Sequence, residues 1–333
     1  MGSRRGSERR EEDLGTAETP QRHDVLWFPD GNVVLATDVY LFKVYKGLLS
    51  MQSSVFRDMF DLEDVGTVRS GDEAVQDMYD GAPLVTLVGD KGEDVVHLLR
   101  AVFEHNYHHR DDRNTPLDVV TALLDLSTKY DFKELRKDAV FQISQQYPMV
   151  LEEFDDVNDA ETPMFGHQRS ECDIPLLKAA FKAGIDALLP ILFLSGACRD
   201  ISSILRMSGS MDSECLNILL EGREPLVVRI NMLLMDLPDN VQEVLGGTNC
   251  QDVKKCKKAA YEKLSYLAHS YIYHIQGYIV VDCHLRRICQ YCRPAAIKYI
   301  NKKREEIWED IPSLFGYPGW DDARTKLKEL LGS

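Results

Sequence analysis

The residues best suited to chemistry lie near the carboxy terminus, in the run Cys283-x5-Cys289-x2-Cys292. Zinc takes four soft ligands in a tetrahedron, and Cys-x-x-Cys is its usual half-site. Further ligands would come from Cys250, Cys256, His269, His274 or His284. No second Cys-x-x-Cys and no His pair stands at standard spacing. If the run continues as one helix, Cys289 and Cys292 share a face as small apolar side chains. Core thiols are the favoured reading, so no metal and no cofactor is expected, and Cys283, Cys289 and Cys292 stand as the zinc candidates. A second group, His105, His108 and His109, precedes Asp111-Asp112 and reads as a solvated polar loop.

Signatures of catalysis are missing. The chain has no phosphate-cradling Gly-x-x-x-x-Gly-Lys, no Gly-x-Ser-x-Gly and no His-Glu-x-x-His. A non-enzyme is expected. The formal net charge of -15 over 333 residues disfavours nucleic acid and anionic membranes as general partners. That charge is uneven, because residues 251–304 carry 12 Lys and Arg against 3 Asp and Glu. Lys254, Lys255, Lys257, Lys258, Arg286, Arg287, Lys302, Lys303 and Arg304 are interleaved with tyrosines. One reading is a face that contacts nucleic acid. The favoured one is a solvated face or a surface complementary to acidic protein.

Eight cysteines in a chain of this length do not form a small disulfide scaffold. The first twenty residues are polar, without an apolar signal core, so the cytosol or the nucleus is the expected compartment. The longest apolar run, around Leu188–Leu194, is too short to span a bilayer and contains Pro190.

Elements follow from periodicity. Residues 1–21 are charged and read as a disordered tail. Val25–Phe28 and Val33–Ala36, joined by the turn Pro29-Asp30-Gly31-Asn32, read as a hairpin. Tyr40, Phe42 and Val44 share one face of a third strand. Ser53 is the expected N-cap of a helix carrying Phe56 and Phe60, and residues 61–81 read as a loop. Leu84–Val88 is a strand, and Val95, Leu98, Leu99, Val102 and Phe103 give the next helix one buried face. Thr115-Pro116 and the pair Asp131/Glu134 mark the starts of two more helices. Residues 148–170 are acidic, contain Pro148 and Pro163, and read as a linker. Beyond them the periodicity is helical over Ile174–Phe193, Cys215–Leu220, Pro225–Leu237 and Asp252–Glu309, with a short helix near Asp321–Leu331.

These expectations amount to an α+β module at residues 22–147, a short sheet capped by helices, followed by an all-α domain at residues 171–333. Residues 24–145 resemble the BTB/POZ domain, particularly that of fungal BTB proteins with an unclassified carboxy-terminal half. The resemblance is carried by Asp24-Val25, Val33-Val34, Phe42-Lys43-Val44, Leu48-Leu49 and Ser53-Ser54-Val55-Phe56-Arg57-Asp58-Met59-Phe60, then the strand Leu84–Leu87 and the helix with Leu98-Leu99. Downstream it extends to Leu189-Pro190, Glu221–Leu226, Cys289-x-x-Cys292, Arg304, Trp308, Pro312 and Phe315-Gly316. Tyr45 departs from the pattern, since many such domains carry His there.

The resemblance implies a non-catalytic protein-binding module that often dimerises and sometimes recruits cullin-type ubiquitin ligases. It points to Leu48, Leu49, Val55, Met59 and Leu62 as interaction residues, although ordinary core packing is the favoured reading of the helix faces. Leu62 falls in the loop where cullin-binding relatives carry a hydrophobic-x-acidic motif, which Asp61–Gly66 does not match cleanly. The expected partner is a protein, including a second copy of this chain. Two other readings stay open: a substrate adaptor of a cullin-type ligase, and a zinc-stabilised, transcription-related protein using the basic carboxy-terminal region.

Overall fold

A computed structural model describes residues 19–65, 77–157, 163–246, 249–259, 267 and 271–332. The protein is α+β and mostly helical, and among the described residues every strand precedes residue 87. It divides into two compact units between Val102 and Phe103. Among the described residues, no helix is long and apolar enough to cross a membrane.

The first unit contains β1 (Gln21–Trp27), β2 (Val33–Ala36), β3 (Tyr40–Val44), α1 (Lys46–Gln52), α2 (Ser54–Val65), β4 (Met78–Tyr79), β5 (Ala82–Thr86) and nearly all of α3 (Gly92–Phe103). One five-stranded sheet runs in the order β1-β3-β2-β5-β4. The hairpin is therefore β2–β3, with Leu35 opposite Phe42 and Ala36 opposite Leu41, and not β1–β2. β1 crosses over β2 and lies parallel to β3, while β5 lies parallel to β2. Local hydrogen bonds enforce the crossing: Phe28 N donates to Lys43 O at 2.9 Å, and Asn32 N donates to Val44 O at 3.0 Å. At the β2–β3 turn, Thr37 Oγ1 donates to Tyr40 O at 3.1 Å.

All four β2 residues are buried, because both faces of the sheet are covered. On one face Val34, Ala36, Leu41 and Ala82 pack with Trp27, Tyr79 and Leu84. Leu35, Phe42 and Val85, also buried, alternate onto the opposite face. Lys43 lies on the first face and is also buried; its ammonium donates to Asp80 Oδ2 at 3.0 Å, and Arg22 pairs with the same carboxylate at 3.3 Å. Asp80 and Gly81 take φ +50° and +76°, the positive values of a tight hairpin turn, and this places a β4–β5 hairpin inside the stretch read as a loop. α2 also extends into that stretch, and residues 66–76 lie outside the described ones.

The second unit is built from α4 (Leu117–Lys129), α5 (Lys133–Gln146), α6 (Leu151–Val157), α7 (Arg169–Lys182), α8 (Leu189–Ala197), α9 (Ile201–Ser208), α10 (Ser213–Val244), α11 (Val253–Ala259), α12 (Gly277–His284), α13 (Arg293–Leu314) and α14 (Trp320–Leu331). α4 and α5 thus group with the carboxy-terminal helices, whereas the sequence boundary at residue 147 followed composition. Nor is the acidic stretch 148–170 a bare linker. Phe154 in α6 is buried against Trp308 at 5.2 Å, and Asp155 forms a bidentate ion pair with the buried Arg304, whose Nε donates to Ile272 O at 2.7 Å. Two helix starts also differ in detail. Pro116 is the N-cap of α4, while Thr115 donates to Asp112 O at 2.9 Å. Asp131 takes φ +54°, and Phe132 is the N-cap of α5.

Candidate functional site

The helical stretch expected over residues 252–309 is not continuous among the described residues, and a turn at its start and another inside it build the site. α11 begins after a turn at residues 249–252, with Asp252 Oδ1 accepting from Lys255 N at 2.9 Å. Its buried Cys256 faces inward. A second turn separates α12 from α13, where Cys292 N donates to Cys289 O at 3.0 Å and Arg293 N donates to the same oxygen at 3.2 Å. Cys292 is the N-cap of α13, with Pro294 in the first turn, so its sulfur sits at the positive end of a 22-residue helix. Cys289 and Cys292 therefore belong to a turn and a helix cap, not to one continuous helix.

Cys250, Cys256, Cys289 and Cys292 converge, with all four sulfurs within 4.8 Å of one another. Cys250 Sγ lies 3.8 Å from Cys256 Sγ and 3.8 Å from Cys289 Sγ. Two backbone donors point at the cluster: Cys289 N at 3.3 Å from Cys256 Sγ, and Gly246 N at 3.4 Å from Cys292 Sγ. Gly246 has φ +99°, and a Cβ there would stand 2.8 Å from Val253, so glycine is what lets the chain leaving α10 bring this amide in. Cys256 and Cys292 are buried, while Cys250 and Cys289 are half-buried.

Burial raises the Cys256 thiol and pushes Cys292 up to about 12. At Cys289 burial works in the same direction but is outweighed by the hydrogen bonds of the turn, which bring that thiol down to about 7.

Of the cysteines singled out in the sequence, Cys289 and Cys292 enter the cluster and Cys283 does not; it is exposed on α12. Cys250 and Cys256 complete the set, at a spacing of Cys-x5-Cys. His274 is not a member, and His269 lies outside the described residues. Cys172, Cys198 and Cys215 are buried elsewhere, with burial raising each to about 12, as fits core thiols.

At the histidine loop, buried Gln142 donates through Nε2 to His109 O, Asp112 O and Thr115 Oγ1 at 2.9–3.0 Å. The His108 ring lies 3.0 Å from Gln142 Oε1, so the loop is tied by an amide.

In the first unit Leu49 is buried, Val55 and Met59 are half-buried, and the side chain of Leu62 in α2 lies outside the described residues. Leu48 is 40% exposed and Met51 71%, which leaves one side of α1 apolar and open. Tyr45, the departure from the BTB pattern, stacks on Phe28 at 5.1 Å and donates to Asp30 Oδ1 at 2.6 Å. No protein-family model, no curated protein and no solved structure matches the chain.

Proposed function

We propose that the chain is a non-catalytic protein–protein interaction protein whose amino-terminal α+β unit, of BTB/POZ type, associates with a second copy of itself. The observation that carries this reading is the open apolar side of α1, where Leu48 and Met51 stand three residues apart and both face solvent. Among the described strands β1 lies at the edge of the sheet and pairs with β3 alone, which supports it. The exposed Val25 on β1 adds apolar area to that strand.

Light scattering of the full chain over a concentration series tests the proposal. Self-association predicts a mass that doubles with concentration. A double substitution, Leu48→Glu with Met51→Glu, should return the chain to a monomer with unchanged helix content, since neither side chain belongs to the core. A wild-type monomer at every concentration would remove self-association as the role of this unit.

A further inference from the structure

We infer that Cys250, Cys256, Cys289 and Cys292 bind one zinc ion as a closed, structural tetrathiolate centre. Zn–S bonds of about 2.3 Å put the sulfurs of a tetrahedron about 3.8 Å apart. That is the 3.8 Å separation of Cys250 from both Cys256 and Cys289. A disulfide would need about 2.05 Å. Core thiols packed for their apolar character have no need of two amide donors aimed at sulfur. Gly246 N and Cys289 N are so aimed, as expected around thiolate ligands, whose orientation is set by such outer hydrogen bonds.

Charge gives an independent line of support. Four thiols that release their protons to solvent and take up Zn²⁺ leave a centre of net charge -2. Cys256 is flanked by Lys254, Lys255, Lys257 and Lys258, Cys289 is preceded by Arg286 and Arg287, and Arg293 follows Cys292. The basic character of this segment in an acidic chain thereby acquires a purpose other than binding nucleic acid. Four protein ligands fill a tetrahedron, so the centre has no open position for substrate and its role is structural. It ties two pieces of chain: α11 with the turn that precedes it, and the turn that starts α13.

The test is metal analysis of the full chain, purified under reducing conditions without chelator from zinc-replete cells. One zinc per chain is expected, retained through gel filtration. Cys256→Ser and Cys289→Ser should each lose the metal, and Cys283→Ser should keep it. Because loss of a ligand can also disturb folding, the wild-type chain is titrated with a mercurial thiol reagent, and all zinc should be released as four thiols are consumed. Cobalt exchange should yield the intense visible absorption of a tetrahedral thiolate site. A metal-free wild-type chain, iron in place of zinc, a disulfide among the four cysteines by intact mass, or loss of zinc in Cys283→Ser would each overturn the assignment.

Discussion

Replacing Gly222 by alanine should destabilise the second unit, although in isolation the same change strengthens a helix. Gly222 sits within α10, and a Cβ there would lie 2.2 Å from Cδ1 and 2.4 Å from Cε1 of Phe315, and 2.8 Å from Leu314 O. Ordinary carbon contacts are about 3.5–4.0 Å, so one partner must retreat by more than about 1 Å. The Phe315 ring cannot easily do so, because it stacks on the fully buried Phe193 at 5.4 Å with planes 12° apart. Nor can the carbonyl, which is fixed in α13.

Overpacking of this kind costs about 1–3 kcal/mol, and the clash with both ring and backbone places it toward the upper end. The gain in helix propensity returns about 1 kcal/mol. A net loss of about 1–2 kcal/mol remains. With a urea slope near 3 kcal/mol/M, the midpoint should fall by roughly 0.3–0.7 M. Tryptophan fluorescence can follow it, since Trp308 and Trp320 stack at 4.9 Å in this unit, and Trp27→Phe silences the tryptophan of the other. Adding Phe315→Leu should recover part of the loss from Gly222→Ala, as expected for residues in contact. A midpoint that stays put or rises in Gly222→Ala would refute the close packing of α10 against the end of α13.

Other expectations follow from the same reasoning. Asp155→Ala leaves Arg304 buried without its carboxylate and should cost about 3–5 kcal/mol in urea unfolding; a loss below about 1 kcal/mol would mean that the pair is not formed. Leu49→Ala should cost about 2–5 kcal/mol, whereas Leu48→Ala in the monomer should stay within about 0.5 kcal/mol, and equal losses would contradict the orientation of α1. The hydrogen bond from Lys43 holds the Asp80 carboxyl below the usual carboxylate range. Its folded-state pKa lies below the unfolded one, so its stabilisation is present above the ordinary carboxylate pKa and is lost as pH falls through the folded value. Asp80→Asn keeps the positive-φ turn, so the variant should differ most from wild type at neutral pH and converge with it in acid; a gap that does not change with pH would count against the Lys43–Asp80 pairing.

The sequence made the periodic elements legible and left the neighbours hidden. Ser53 is the N-cap it appeared to be, with its hydroxyl accepting from Phe56 N at 2.9 Å, because a cap is a local hydrogen bond. Strand pairing is not local. Reading β1 and β2 as a hairpin followed the tendency of consecutive strands to pair, and nothing in Pro29–Asn32 announces that β1 will pass to the far side of β3. Asp80-Gly81 is a different kind of miss, since Asp-Gly is a hairpin signal in its own right, obscured here by the acidic residues around it. For the cysteines, spacing pointed along the chain to Cys283, while the cluster is completed by Cys250 in the turn before α11 and Cys256 within that helix. Only the tertiary fold brings the two pairs together. Gly246 gave no signal, because its role depends on a sulfur far ahead of it in sequence.

The sheet order also sets a sequence of events in time. β2 and β3 are joined by a three-residue turn, so they can zip together before any long loop closes. β1 and β5 can only be laid down afterwards, one on each flank of that ribbon, and each pays loop-closure entropy before it gains a bond. Truncations in the ribbon, such as Leu35→Ala, should therefore slow folding, while Leu26→Ala in β1 should mainly hasten unfolding. β1 is thus one of two strands laid onto a ribbon that is already zipped. Each time it lifts away it uncovers the full length of β3 while the ribbon beneath stays zipped, so the lifetime of that bared strand, and not the overall stability of the unit, sets how often another strand can take its place.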